Sequence, residues 1–198
     1  MSNQKLLIDR VEFATIKVEA IPGTVPRDDV FPQVAFDSSD LVFLVRSNLI
    51  YPPSELEDPR TFILSYGIKV GKDDSKDTPP YEIEVEACAY FRYVGGEEFS
   101  GADRFRAVRF SGYQILYGAI REMVSNLTAR GVHGMWNLPA RTFGLAAKNK
   151  ADEDEAERQA AIVKKAEGTT LLAAPAKKVA RKKSKAVKAA VRIGPQPD

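Results

Sequence analysis

Two neighbouring stretches of strict alternation constrain the fold of this chain more than any other feature. Large apolar residues occupy every second position in 61–70, and a similar pattern runs through 81–94. Successive side chains of a β-strand point to opposite faces of its sheet, so each stretch predicts a strand with one buried and one solvated face. The polar segment 71–80 ends in two prolines and reads as the turn between them. The sequence therefore predicts a long antiparallel hairpin.

Two further strands are predicted before the hairpin. Residues 5–21 alternate, but the apolar residues change parity after Val11 and Phe13. A one-residue slip of this kind indicates a β-bulge or a strand that changes partners. Residues 41–51 form a short apolar run rich in β-branched and aromatic residues, which is typical of a strand. The intervening residues 24–40 read as a long loop.

A long helix is predicted over 112–130, after a loop over 95–106. Its apolar residues recur at three- and four-residue spacing and cover an unusually broad arc. An arc this broad indicates two neighbours, of which one is the sheet and the other is, we expect, the same helix of a second subunit. The candidate residues of this oligomer interface are Tyr113, Leu116, Ile120, Met123 and Leu127.

An apolar arm follows the helix. Residues 135–143, MWNLPARTF, hold large apolar side chains in a stretch that is too short and too irregular to bury them locally. The arm either plugs the layer between helix and sheet or lines a surface that stays open for another molecule.

Catalytic chemistry has little support in the residue set. The chain has one histidine, His133, and one cysteine, Cys88, whose pKa the neighbouring glutamates should raise. No Cys/His spacing suits zinc. Glu82, Glu84 and Glu86 form a carboxylate row, but such a row is usually the solvated face of a strand. We therefore expect neither an enzyme nor a bound cofactor or metal.

The charge is distributed unevenly along the chain. Residues 168–198 carry eight basic residues against one acidic residue, whereas 1–167 carry a net charge of −5. We expect a domain over 1–147, a charged extension compatible with a marginal helix over 148–167, and a disordered tail over 168–198. The tail keeps the protein soluble, binds nucleic acid nonspecifically or docks on the acidic body of the chain. The candidate nucleic-acid residues are Lys177, Lys178, Arg181, Lys182 and Lys183.

The expected location is the cytoplasm. Charged residues within the first ten positions argue against a signal peptide, and no apolar run approaches the length of a membrane span. A single cysteine fits a reducing compartment.

Three motifs resemble the SecB family of export chaperones. They are RVEFATIKVEAIP over 10–22, YQILYGAIREMVSNLTARG over 113–131, and the Pro-containing arm over 135–143. The resemblance covers residues 1–145 and implies an α+β fold, in which a four-stranded antiparallel sheet packs on a long helix, with a second short helix and a disordered tail.

The resemblance also implies a function. SecB proteins are homotetramers, built as dimers of dimers with their long helices at the centre. They hold unfolded preproteins in apolar grooves without ATP and pass them to the translocase motor SecA, and some relatives serve a dedicated client such as an antitoxin. Aromatic and flexible apolar side chains suit such a groove. The groove residues expected here are Leu49, Ile50, Tyr51, Met135, Trp136, Leu138 and Phe143.

The partner-docking surface implied by the resemblance is acidic and lies on the solvated face of the sheet. Its first-strand positions correspond to Thr15 and Glu19, so one of two acidic charges is missing. The candidate docking residues are therefore Glu19, Glu82, Glu84 and Glu86. General export and a dedicated client both remain open. The missing acidic charge on the solvated face favours the dedicated client.

Overall fold

The architecture of the chain is α+β, as predicted. A computed structural model describes residues 5–23, 42–71, 79–96 and 98–172, with side chains to residue 166. Four antiparallel strands form one sheet in the order β1-β4-β3-β2, and two helices follow them. The elements are β1 (Leu6–Ala20), β2 (Leu44–Ile50), β3 (Thr61–Val70), β4 (Tyr81–Tyr93), α1 (Ala102–Thr128) and α2 (Gly144–Leu172), with a short 3-10 turn at Pro53–Glu55.

The predicted hairpin is confirmed, and it provides most of the core. β3 and β4 pair so that Phe62 lies opposite Phe91, and Ile68 lies opposite Val85. These apolar side chains are buried beneath α1, whereas Glu84 points to the other side of the sheet. We call the side that faces α1 the inner face and the opposite side the outer face.

The parity change in β1 is resolved by bulges, and the strand keeps β4 as its partner throughout. The pairing register shifts once between Ile8 and Arg10 and again between Phe13 and Thr15. Each shift inserts one residue and restores the apolar side chains to the inner face. The residues that lie opposite inner-face positions of β4 are Leu6, Ile8, Val11, Phe13, Ile16, Val18 and Ala20.

Helix α1 begins at Ala102, so the prediction of a loop over 95–106 was wrong in its second half. Arg104 and Arg109 are buried, although each reads as a solvated residue in the sequence. Arg104 donates hydrogen bonds to the Asp58 carboxylate and the Pro59 carbonyl oxygen. Buried charges of this kind are tolerated when they are paired.

Three predicted oligomer contacts are wrong, because their side chains serve the core of the chain itself. Tyr113, Leu116 and Ile120 are buried on the side of α1 that faces the sheet and the arm. Met123 is half-buried, and Leu127 is exposed. Only the last two therefore offer surface to a second subunit.

The arm folds back along α1 as part of the core. The Trp136 backbone N–H donates to Thr128 Oγ1 (2.8 Å), and the Tyr117 hydroxyl donates to the Pro139 carbonyl oxygen. Trp136 and Leu138 are 2% and 1% exposed. Trp136 and Leu138 therefore fill the layer between helix and sheet, which is the first of the two alternatives given for the arm. The arm then leads directly into α2, which packs against α1.

Helix α2 is longer than expected. It spans 29 residues and includes the whole of 148–167, so the boundary that we placed after residue 147 falls inside it. Its end at Leu172 lies within the segment that we expected to be disordered. The remaining tail lies outside the described residues.

Gly112 lies at a close approach between α1 and the sheet. A Cβ atom at this position would overlap Leu64 Cδ2 and lie 3.2 Å from the Phe91 ring, whereas one at Gly118 would meet no atom within 4 Å. We expect Gly112→Ala to lower the free energy of unfolding by about 1–3 kcal/mol. The matched control, Gly118→Ala, should raise it by up to about 1 kcal/mol through helix propensity.

Urea unfolding at fixed protein concentration measures both changes. Equal effects of the two substitutions would contradict the close packing of α1 on the sheet.

Candidate functional site

An open cleft of about 510 Å3 lies between the inner face of β2 and the start of α2. Its floor is aromatic and consists of Tyr66, Tyr113 and Phe143, which are themselves buried and only 2%, 2% and 7% exposed. One wall is formed by Val45 and Ser47 of β2. The opposite wall follows the arm into α2 and carries Arg141, Thr142, Ala146 and Lys150. We call this feature the β2 cleft.

The aromatic floor is held by ring packing and hydrogen bonds. The Tyr66 ring centroid lies 5.3 Å from that of Tyr113 and 6.0 Å from that of Phe143. The Tyr113 hydroxyl accepts a hydrogen bond from Arg109 Nη1 (2.6 Å) and lies 2.9 Å from Ser47 Oγ. Burial raises the pKa of Tyr66, although the nearby Arg141 opposes this rise. The phenol of Tyr66 therefore stays neutral.

A buried ion pair fixes α2 beside the cleft. Arg109 of α1 donates from Nε and Nη2 to the two carboxylate oxygens of Asp154, at 2.5 and 2.7 Å. Both side chains are largely buried. Burial by itself lowers the pKa of Arg109, but Asp154 and Tyr113 together raise it by more, so the guanidinium remains charged. An ion pair removed from water in this way holds its helix strongly, since separating it leaves a buried charge without a partner.

Further along α2, Arg158 provides a second attachment. Its Nη1 donates to the carbonyl oxygens of Leu56 and Glu57, at 3.2 and 3.0 Å, in the turn that precedes β3. Before the two attachments, in its first turns, α2 presents the small buried residues Ala147 and Ala151. Helix α2 is thus fixed at its middle, and its first turns stand beside β2 rather than on it.

The cleft lies next to an unpaired strand edge. β2 is the last strand of the sheet order, so its outer edge pairs with no strand in the described part of the chain. Its side chains are partly apolar on both faces, with Val45 40% exposed on the inner face and Leu44 52% exposed on the outer face. An edge of this kind is a template for an added strand from another chain.

Most of the predicted groove residues do not line the β2 cleft. Phe143 lines the cleft, but Leu49, Trp136 and Leu138 are buried in the core. Ile50 points to the outer face, and Tyr51 packs against Phe62 and Phe105. Met135 is half-buried and does not line the cleft. Sequence reasoning missed Val45, Ser47, Tyr66, Tyr113, Arg141, Thr142, Ala146 and Lys150, because the position of α2 decides which inner-face residues stay uncovered.

The outer face of the sheet is mixed in charge and is not an acidic strip. Lys17 lies 3.4 Å from a Glu82 carboxylate oxygen and 3.3 Å from one of Glu19. Glu84 pairs with Arg46 at 3.1 Å and with Lys69 at 3.9 Å. Three of the four predicted docking glutamates, Glu19, Glu82 and Glu84, therefore have basic partners. The fourth, Glu86, contributes with burial and Glu12 to the raised pKa of Cys88, in the direction expected from the sequence.

Other predicted sites receive no structural description. Lys177, Lys178, Arg181, Lys182 and Lys183 lie outside the described residues. Within the part of the chain that the structure describes, no three His, Cys, Asp or Glu side chains cluster as metal ligands do. The described helices include none with both the length and the apolar character needed to cross a membrane.

Comparison with known proteins yields structural neighbours only. No family model and no curated protein matches the chain. One neighbour is the Mycobacterium tuberculosis Rv1957 SecB-like chaperone in complex with a ChAD peptide from the Rv1956 HigA1 antitoxin, at 15% identity and a TM-score of 0.48. The match covers 70% of this chain and 88% of that chain. Another is a protein of unknown function from Streptococcus agalactiae, at 9% identity and a TM-score of 0.39, covering 69% of this chain and 96% of that one. Values of this size indicate a distant likeness of fold and carry no information on function.

The ion pair that fixes α2 leads to a prediction about stability. We expect Asp154→Ala to lower the free energy of unfolding by about 3–5 kcal/mol, because Arg109 would stay buried without a counter-charge. The double variant Arg109→Met/Asp154→Leu should lie within about 2 kcal/mol of the wild type, since it removes both charges together. Urea unfolding of the single variants Arg109→Met and Asp154→Leu and of the double variant gives the coupling energy. A double variant less stable than Asp154→Ala would contradict this account.

Proposed function

We propose that the protein is an ATP-independent holdase that binds extended, unfolded polypeptide segments in the β2 cleft. The observation that carries the proposal is the position of an open aromatic-floored cleft directly beside an unpaired strand edge. The edge offers backbone hydrogen bonds that any extended sequence can make. The cleft offers apolar surface that any large side chain can cover. Together they suit a binder of many sequences.

The energetics of such a site fit reversible capture without fuel. A client that buries about 400 Å2 of apolar surface gains about 10 kcal/mol at about 25 cal/mol per Å2, before costs are subtracted. Ordering of an unfolded segment and loss of its free motion remove much of this gain. The net binding free energy that remains is that of a complex that forms and dissociates without nucleotide hydrolysis.

A second copy of the chain is the proposed cover for the other flank of the sheet. Ile16 on the inner face of β1 is 47% exposed, and Leu127 and Val132 border a cleft of about 500 Å3 beside it. β1 is also a 15-residue edge strand, and such edges invite pairing with another chain. This surface, rather than Tyr113, Leu116 and Ile120, is the proposed oligomer interface. The tetramer implied by the resemblance to SecB would be assembled through it.

Between the two forms of the holdase, the structure favours a dedicated client. Docking to SecA requires an acidic outer face, and here Glu19, Glu82 and Glu84 have basic partners within 4 Å. We therefore propose a dedicated partner, of which an antitoxin is one kind, ahead of general export. In either form the work would be done in the cytoplasm. Nucleic-acid binding through the tail stays a prediction, since the tail lies outside the described residues.

Two neighbouring residues of β2 provide a matched test. Val45 points into the cleft and Leu44 points to the outer face, and both are partly exposed. We expect Val45→Glu to weaken protection of a denatured client at least about fivefold, because it places a carboxylate on the apolar path of the client. Leu44→Glu should protect as well as the wild type. The measurement is light scattering of an aggregating client against chaperone concentration.

Circular dichroism and thermal melting show first that both variants are folded, and Ala146→Glu on the opposite wall repeats the test. Equal protection by the cleft variants and Leu44→Glu would refute the assignment of the cleft. Failure of the wild type to protect any denatured client would refute the holdase itself.

A further inference from the structure

The charges around the β2 cleft are arranged asymmetrically. Two cations, Arg141 and Lys150, lie on the wall formed by the arm and α2, and no carboxylate is among the described residues that line the cleft. Arg141 is exposed, and its guanidinium lies 5.2 Å from the centroid of the Phe43 ring. None of the ion pairs among the described residues includes Arg141.

The carboxylates near this wall are already engaged. Glu153 pairs with Lys150 at 2.5 Å, and Asp154 is bound on both oxygens by Arg109. The charges of these pairs largely cancel, whereas Arg141 has no acidic ion-pair partner among the described residues. The rim of the cleft therefore carries a local positive charge above an apolar floor, although residues 1–167 are acidic as a whole.

We infer that the β2 cleft selects client segments in which a large apolar side chain is accompanied by a carboxylate, and that Arg141 is the residue that reads the carboxylate. The inference rests on the proposed function, since it names the class of client that the same site takes. An apolar anchor would lie over the aromatic floor of Tyr66, Tyr113 and Phe143, and a carboxylate would then meet the one rim cation that lacks an acidic partner within the described residues.

The spacing of anchor and carboxylate follows from strand geometry. Side chains of an extended client alternate between faces, and residues two apart lie on the same face about 7 Å from each other. An acidic residue two positions from the anchor therefore reaches the rim on the side of Arg141. An acidic residue next to the anchor points away from the cleft. A free C-terminal carboxylate two positions beyond the anchor offers the same chemistry.

The basic tail of the chain itself does not fit this cleft. Residues 168–198 carry eight basic residues against one acidic residue. Their charge has the same sign as that of Arg141 and Lys150, so the rim repels them rather than attracts them. Compared with the tail, a client segment that carries a carboxylate is the occupant that the charges favour.

The test uses short peptides with acetylated and amidated ends and one central tryptophan as the anchor. One peptide carries Glu two positions to each side of the anchor, and others carry Gln or Lys there, or Glu directly next to the anchor. A fifth has Gln side chains and a free C-terminus two positions beyond the anchor. Fluorescence anisotropy at low and high salt gives the dissociation constants for the full chain, for Arg141→Gln, and for Arg106→Gln as a control on the exposed side of α1.

We expect the peptide with Glu two positions from the anchor to bind about threefold to tenfold more tightly than its Gln counterpart at low salt, and the Lys peptide to bind most weakly. High salt and Arg141→Gln should each reduce this preference to less than about twofold, while Arg106→Gln should retain it. A gain for the free C-terminus alone would assign Arg141 to chain ends and overturn the side-chain preference.

Equal binding of the Glu, Gln and Lys peptides, or a preference that survives Arg141→Gln, would overturn the inference and leave the holdase standing. Absence of binding for every peptide would overturn the proposed function together with the inference.

Discussion

The width of the sheet is the constraint on which the rest of the structure depends. An α-helix with its side chains is about 10–12 Å wide, whereas four strands spaced about 4.8 Å apart span about 14 Å between the outermost backbones alone. One helix therefore cannot cover this sheet. Helix α1 covers β3 and β4 and leaves both flanks of the inner face in need of another partner. The arm and α2 supply that partner on the β2 side, and on the β1 side the described residues leave Ile8, Val11 and Ile16 exposed.

The β2 cleft exists because charges, more than apolar packing, hold α2 in place. The helix buries mainly alanines and two charged side chains, Asp154 and Arg158, which bind α1 and the turn before β3. Such attachments fix the middle of α2 without drawing its first turns down onto β2. Between β2 and the first turns of α2, Phe143 from the arm forms part of the cleft floor. A helix with a broad apolar stripe would instead have sealed this flank and left no opening for a client.

Prediction from the sequence succeeded where residues have their usual roles, with apolar side chains buried and polar side chains exposed. Alternation identified the hairpin, and the parity slip identified a bulge in β1, because a misplaced register would expose the whole apolar face. It failed where charged residues are buried. Because Arg104 and Arg109 read as solvated residues, the sequence did not predict the first turns of α1. The charged sequence of α2 indicated only a marginal surface helix. The cleft could not be predicted, because its lining depends on how far α2 stands from β2, a distance set by the contacts of Asp154 with Arg109 and of Arg158 with the turn before β3.

Site-specific photo-crosslinking tests most directly whether other chains bind at both edges of the sheet, a second copy at β1 and a client at the β2 cleft. A benzoylphenylalanine at Ile16 probes the β1 flank, one at Ala146 probes the β2 cleft, and one at Lys164, about 27 Å further along α2, serves as the control. The account predicts adducts between copies of the chain from Ile16, adducts with a denatured client from Ala146, and few of either kind from Lys164. Adduct yields from Ile16 and Ala146 no higher than those from Lys164 would contradict it.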